Sequence, residues 1–371
     1  MQATEQQRML EDSLLRFVQR EYGFEQRRRA QAAGGFDPSR WQGLCELGLA
    51  ALLVPQEHGG LEAPLADALH ALQVLGPALV LEPVLGSCVL ATRLLARCGG
   101  PAAAQWLPRM AEGAVGAIGL FEPGAGFEHD PPGCEARAHA QGWVLDGAKS
   151  LVLQAAQAHV LLVWARCEDG QPAWFAVPAD SQGLSLRPYA LLDGQHAAEL
   201  SLRGVRLRAD ARLPGEARQL AEELRDLWLA AVCADAVGVM QAALDATIAY
   251  LNTRVQFGRP LAAQQVLRHR AASLWMELEQ ARSMVWLAAG RIEGETAARR
   301  ARLMAAVKAR VGRACREISQ GVVQLHGGIG LSDELVLSHW FKRLSLAELW
   351  LGDSRQQLLR YLRAGAGEAA R

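Results

Sequence analysis

Apolar residues recur at helical spacing from the start of the chain to about Gly113, with breaks at "QAAGGFDPSR", "VPQEHGG" and "CGGPAAA". Within "SRWQGLCELGLAALL" the spacing predicts a helix with Ser39 as N-cap and Trp41, Leu44, Leu47 and Leu49 as its apolar stripe. From about Ala114 to Pro214 the period shortens. The runs "AVGAIGLF", "CEARAHA", "WVLDGAK", "HVLLVWARC", "AWFAVP", "LSLRP" and "AAELSLRGVRL" alternate or stay apolar, separated by Gly, Asp and Pro at hairpin-like intervals. That pattern predicts a small β-sandwich or barrel. From Gly215 long helical patterns return and persist to the end. The expected organisation is α+β in three domains: an N-terminal helical domain (1–113), a middle β domain (114–214) and a C-terminal helical domain (215–371).

Composition narrows the function classes. The chain has 371 residues, enough for several domains and a sizeable core. Its 39 basic residues balance 39 acidic ones, which argues against a nucleic-acid partner, whose affinity would rest on a basic surface. The locally basic "GRIEGETAARRARLMAAVKARVGRACREI" places its arginines at helical spacing and reads as a solvated face. Cys45, Cys88, Cys98, Cys134, Cys167, Cys233 and Cys315 are scattered with no C-x-x-C spacing, so neither a metal site nor a disulfide framework is expected. They read as small buried hydrophobes in a reducing compartment. The first thirty residues contain acids and lack an apolar core, unlike a signal peptide. With no run of eighteen apolar residues, no membrane association and a cytoplasmic location are expected.

Four segments stand out. "YLNTRVQFGRPLAAQQVLRHRAA" (Tyr250 to Ala272) places a planar guanidinium (Arg254), an amide (Gln256) and an aromatic ring (Phe257) beside a Gly-x-Pro break. The fork of Arg254 suits phosphate oxygens, although an arginine at that point can equally cap the helix C-terminus. "VVQLHGGIGLSDELVLSHWFKR" (Val322 to Arg343) carries Gln324 beside Gly327 and Gly328, where a backbone without Cβ atoms can approach a ligand closely; paired glycines more commonly mark a simple turn. The others are "GLFEPGAGFEHD" (Gly119 to Asp130) and "WQGLCELGLAALLVPQEHGGL" (Trp41 to Leu61).

Together, and in this order over nearly the whole chain, these segments resemble the acyl-CoA dehydrogenase family. The resemblance implies a C-terminal four-helix bundle, bound FAD and α,β-dehydrogenation of an acyl-CoA thioester. A carboxylate would take the α-proton while hydride leaves the β-carbon for flavin N5. It implies an oligomer, a tetramer in lipid and fatty acid metabolism, that passes electrons to a second flavoprotein. It further implies that Arg254, Gln256, Phe257, Gln324, Gly327 and Gly328 serve FAD held by a neighbouring subunit. The loop from Glu122 through Gly124 to Gly126 would cradle the flavin and thioester. A flavin oxidase or monooxygenase on the same fold is a third reading.

The chain departs from the family's pattern where the chemistry sits. The family's catalytic glutamate falls at Leu351, in "LWLGDS", and the family's alternative position holds Trp228. The nearest substitute is Asp235, seven residues after Trp228 and on one helix face with Leu224 and Ala231, where desolvation would make a carboxylate a better proton acceptor. An ordinary structural aspartate reads equally well there. Asp353 reads as a cap for the last helix, and Glu348 precedes the turn. In "DGAKSLVLQAAQAH", Leu151, Leu153 and Gln154 replace the family's shielding indole and N5-contacting hydroxyl, and Phe127 replaces a small hydroxylated residue. Because the departures fall on this chain's own half-site, two accounts are carried forward: a dehydrogenase using Asp235, and a half-site subunit of a hetero-oligomer with a related dehydrogenase.

Overall fold

A computed structural model describes residues 4–127 and 129–369, with side chains to Ala364. Six helices come first: α1 (Glu5–Glu21), α2 (Phe24–Ala32), α3 (Pro38–Glu46), α4 (Leu65–Leu75), α5 (Thr92–Cys98) and α6 (Gly100–Ala111). The chain enters α5 through eight π-helical residues, Val84–Ala91, almost all of them buried. Helix α3 starts two residues earlier than the Ser39 cap implies: Asp37 is the N-cap, accepting from the backbone N–H groups of Ser39 and Arg40, with Pro38 in the first turn. The apolar stripe holds at Trp41, Leu44 and Leu49, which are buried.

All seven runs of short period form strands: β1 (Gly116–Gly119), β2 (Glu135–His139), β3 (Gly142–Leu153), β4 (Val160–Cys167), β5 (Pro172–Pro178), β6 (Leu184–Ala190) and β7 (His196–Arg208). They join in one curled sheet of order β1-β4-β2-β3-β7-β6, with β5 paired to β4. The hairpin-like spacing holds only in part, because β1 and β2 both run parallel to β4. Its core is a layer of Leu145, Leu161, Val163, Phe175, Leu200 and Val205, with Trp164 tilted on Trp174 at 5.1 Å.

The C-terminal helices are α7 (Ala217–Thr253), α8 (Gln265–Arg291), α9 (Ala297–His326), α10 (Val336–Leu349) and α11 (Ser354–Ala369). Helix α9 is central, packing against α8, α10 and α11. Helix α7 is long and apolar enough to cross a membrane, with mean hydropathy 1.7 over its most apolar stretch, yet 83% of that stretch is buried within the protein. That is the signature of a core helix.

By packing, the chain divides into two compact units. One comprises Gln26–Ala68 and Leu81–Arg225 and contains the sheet; the other comprises Met1–Glu25, Leu69–Val80 and Asp226–Arg371. In the second, α4 meets α7 backbone to backbone. A Cβ on Gly238 would lie 1.9 Å from the Gln73 carbonyl oxygen, and one on Gly76 would lie 2.5 Å from that of Asp235.

Candidate active site

Three groups of residues carry the predicted chemistry. The first is at the end of α7. The helix stops at Thr253, and the chain makes a two-residue hairpin, β8 (Val255–Gln256) with β9 (Arg259–Pro260), instead of a simple break. Phe257 and Gly258 form its turn, both with positive φ, 53° and 75°. A left-handed bulky residue is strained, and here the strain holds a phenylalanine ring 93% exposed. The hairpin is strapped to the helix by Arg254 N–H donating to the Tyr250 carbonyl (2.9 Å) and Leu261 N–H donating to the Arg254 carbonyl (2.8 Å). The side chains of Arg254 and Gln256 are exposed and make no hydrogen bond or ion pair among the described residues. Arg254 therefore does not act as a side-chain cap of α7.

At the end of α9, Gln324 is exposed and lines a groove of about 520 Å³ between α8 and α9, with Val266, His269, Ser273 and Gln320 among its walls. Gly327 and Gly328 are exposed too, and a Cβ on either would meet nothing within 4 Å. Their backbone is open to a ligand. The two ends touch: the Tyr250 and His326 rings stack at 4.4 Å with 21° between their planes.

The second group lies at the sheet. Glu122, expected at the flavin, is engaged within the protein. Its carboxylate accepts from Lys149 Nζ (2.6 Å), Gly133 N–H (2.7 Å) and Cys134 N–H (2.9 Å), which closes the base of the loop carrying Gly124 and Phe127. Lys149 is fully buried. Burial pushes the Glu122 pKa up, but the Lys149 charge and these hydrogen bonds outweigh it, so the carboxyl stays below its ordinary value. The Lys149 ammonium is held below its own ordinary value because burial exceeds the support from its neighbours. Gly124 has φ 80° in the exposed tip, where glycine is the residue that adopts this conformation freely. Phe127 packs edge-on against Phe121 at 5.4 Å. Further along β3, a bulge between Lys149 and Val152 turns Leu151 to φ 53°; Leu153 and Gln154 are buried. Gln154 Oε1 is unpartnered and lies 3.3 Å from where a Cβ on Gly86 would stand, so this amide packs on the π-helical segment.

The third group surrounds the positions at which the resemblance expects a base. Trp228 and Trp350 pack with ring centroids 5.6 Å apart and planes tilted by 34°, and both are buried, as is Leu351. The two positions at which the resemblance expects a base are thus both apolar and buried. Leu351 keeps a left-handed backbone (φ 60°) because its turn is clamped: buried Lys308 donates to the carbonyls of Glu348 (2.8 Å) and Gly352 (3.1 Å), and Gln357 Nε2 donates to that of Leu351 (2.5 Å). Lys308 and Lys149 are roles the sequence reading missed. A lone lysine among the apolar residues of "LMAAVKARVG" is the available signal, since such a cation needs buried partners. Asp353 caps α11, accepting from Gln356 N–H (2.8 Å). Glu348 accepts from Ser354 N–H (3.2 Å) and Oγ (2.8 Å), and its other oxygen occupies the space a Cβ on Gly312 would need. Asp235 lies 3.8 Å from the guanidinium of Arg343, itself buried and anchored to the Val80 carbonyl. That geometry gives Asp235 an ion-pair role. Among the described residues no cluster of His, Cys, Asp and Glu could hold a metal ion.

Helices, a curled sheet and a second helical set follow one another along the chain, with the arginine hairpin and the open glycines at the helix ends of the last set. The sequence matches the acyl-CoA dehydrogenase N-terminal domain over residues 4–114, the middle domain over 117–205 and the C-terminal domain over 230–365. The acyl-CoA dehydrogenase IpdE2 of Mycobacterium tuberculosis is 30% identical over 100% of both chains. The mitochondrial short-chain specific acyl-CoA dehydrogenase of Homo sapiens is 27% identical over 84% of this chain and 79% of that one. Among solved structures, a variant of the Tcur3481–Tcur3483 steroid ACAD superposes with TM-score 0.90, 26% identity and 99% of each chain covered. The ChsE4–ChsE5 complex of Mycobacterium tuberculosis superposes with TM-score 0.89, 25% identity and 98% of each chain covered. The chain belongs to the acyl-CoA dehydrogenase family, an oxidoreductase family acting on acyl-CoA.

The residues present fit FAD unevenly. The unpaired Arg254 guanidinium, the exposed Gln324 amide and the open backbone at Gly327 and Gly328 suit an anionic diphosphate. On β3, Leu151 and Leu153 bring no polar side chain, and Glu122 already accepts from Lys149, Gly133 and Cys134.

Proposed function

We propose that this chain is a half-site subunit of a hetero-oligomeric acyl-CoA dehydrogenase. It completes the FAD site of a related subunit with Arg254, Gln256, Phe257, Gln324, Gly327 and Gly328, and the related subunit supplies the base. The observation that carries this reading is the buried Trp228–Trp350–Leu351 packing, which leaves no proton acceptor at either usual base position. FAD, when bound, supplies the hydride acceptor. This chain's part is to hold the diphosphate, with Arg254 as the planar cation and the paired glycines, which lack a Cβ, allowing it to approach the backbone closely. The α-proton goes to the partner's carboxylate and the hydride leaves the β-carbon, giving the enoyl thioester; a second flavoprotein then takes the electrons.

Support also comes from relatives: two of the similar structures are described as the Tcur3481–Tcur3483 steroid ACAD and the ChsE4–ChsE5 complex. A bulky polycyclic acyl-CoA is accordingly the substrate class proposed. The account in which Asp235 serves as base is disfavoured, since Arg343 beside it stabilises a carboxylate that must stay charged.

The test is bound-FAD stoichiometry. Purified alone, the chain is expected to hold little FAD; co-expressed with a related dehydrogenase chain that carries the missing glutamate, it is expected to yield about one FAD per pair of chains. Stoichiometric FAD in the lone oligomer, bleached anaerobically by acyl-CoA, overturns the proposal. If that bleaching is lost in Asp235→Ala, the self-sufficient account takes its place.

A further inference from the structure

We infer that the Tyr250–His326 stack is a positioning pair that sets the spacing of the two donor groups of the proposed dinucleotide site; the inference rests on that reading. Tyr250 lies one turn before Arg254, and His326 is the residue between the Gln324 segment and Gly327. Their rings lie 4.4 Å apart and 21° from parallel, so the last turn of α7 and the last turn of α9 meet through two flat faces. Each ring is tied to its own donor set by short backbone links. The Tyr250 carbonyl accepts the Arg254 N–H at 2.9 Å, which starts the hairpin at a fixed point. His326 Nδ1 donates to the Val322 carbonyl at 2.9 Å, which fixes the tautomer and the ring plane, and the Gly327 N–H donates to the Val323 carbonyl as the helix ends.

A rigid aromatic contact suits this task. Neither ring has torsional freedom beyond two side-chain angles, and both are only half-buried, so the pair is a spacer at the surface more than a core contact. Arg254 and Gln324 have no other described side-chain bond to hold them at a common spacing. Bidentate recognition of a diphosphate tolerates little misplacement, and a stack that drifts would loosen both contacts together. The hydroxyl plays little part, since its approach to the His326 carbonyl is 3.5 Å, beyond ordinary hydrogen-bond length.

The experiment is FAD affinity in the holo-oligomer, made with the related subunit that restores flavin or, if the lone chain retains FAD, in that oligomer. FAD release is followed by flavin fluorescence on dilution for wild type, Tyr250→Phe, Tyr250→Leu and Arg254→Ala, with oligomer mass and melting temperature of the apo forms measured beside it. Arg254→Ala is expected to weaken FAD binding roughly tenfold or more, as loss of a charged hydrogen bond does. Tyr250→Leu, which keeps bulk but loses the flat ring, is expected to weaken it roughly threefold to tenfold at unchanged oligomer mass, and Tyr250→Phe to restore it. If Arg254→Ala loosens FAD while Tyr250→Leu does not, the positioning role is wrong and the reading beneath it stands. Equal losses in Tyr250→Phe and Tyr250→Leu also overturn it, by pointing to the hydroxyl. If neither Arg254→Ala nor Tyr250→Leu changes affinity, the proposed dinucleotide site itself is wrong.

Discussion

A Gly238→Ala substitution is expected to destabilise the protein by about 3 kcal/mol, near the upper end for overpacking, read as a fall in the urea midpoint at unchanged slope. The added Cβ would stand 1.9 Å from the Gln73 carbonyl oxygen and 2.9 Å from its carbon. Those are backbone atoms of α4, so no rotamer change relieves the clash, and the helices must separate. Separation would also disturb the adjoining approach of Gly76 to the Asp235 carbonyl. The matched control is Gly290→Ala in α8, where the new methyl meets nothing within 4 Å. There alanine is expected to stabilise by about 0.5–1 kcal/mol, through helix propensity and a restricted unfolded chain. Equal effects at the two positions would mean that α4 and α7 do not touch through their backbones.

What the sequence reveals depends on how local the cause is. Strand positions are local: β4 and β5 read as apolar runs because both their faces are covered, and the seven strands of the large sheet fall on runs visible in the sequence. Strand pairing is not local. Nothing in "CEARAHA" says that β2 pairs antiparallel with β3 and parallel with β4. At α3, Ser39 is a good capping type, but Asp37 before Pro38 satisfies the same donors and the proline fits the first turn. The hairpin at Val255–Pro260 is hidden because its turn needs positive φ at Phe257, a conformation no propensity assigns to phenylalanine.

The site shows the same division. That apolar residues, Leu351 and Trp228, stand where the resemblance expects a base is legible in the sequence, while the contact of Trp228 with Trp350 is a tertiary fact. Asp235 reads as a candidate because its helix face is apolar; its partner Arg343 comes from α10, far along the chain. Glu122 is expected at the flavin because its loop resembles that of the family, yet the donor that claims it, Lys149, arrives from β3. Buried charges find their partners in three dimensions, so sequence alone can locate the charge and leave its role open.

Replacing Lys149 by methionine is expected to cost about 3 kcal/mol at neutral pH, because it leaves a partly buried carboxylate without its cation. The penalty is moderated by the two backbone N–H groups that Glu122 retains, from Gly133 and Cys134. The pH dependence identifies the cause. Glu122 has a folded pKa below its ordinary value, so its contribution is present above the unfolded carboxylate pKa of about 4.3 and is lost as pH falls through the folded value. In the wild type, protonating Glu122 leaves the Lys149 ammonium buried beside a neutral acid, a state its own lowered pKa shows to be unfavourable. The variant has no such ammonium to strand. Urea unfolding of the two proteins should therefore differ most near neutrality and converge as pH drops through the carboxylate range. A gap that stays constant to acid would show that methionine acts by packing alone. Convergence would show that the base of the Glu122–Cys134 loop is held by charge, and with it the geometry of the loop tip at Gly124.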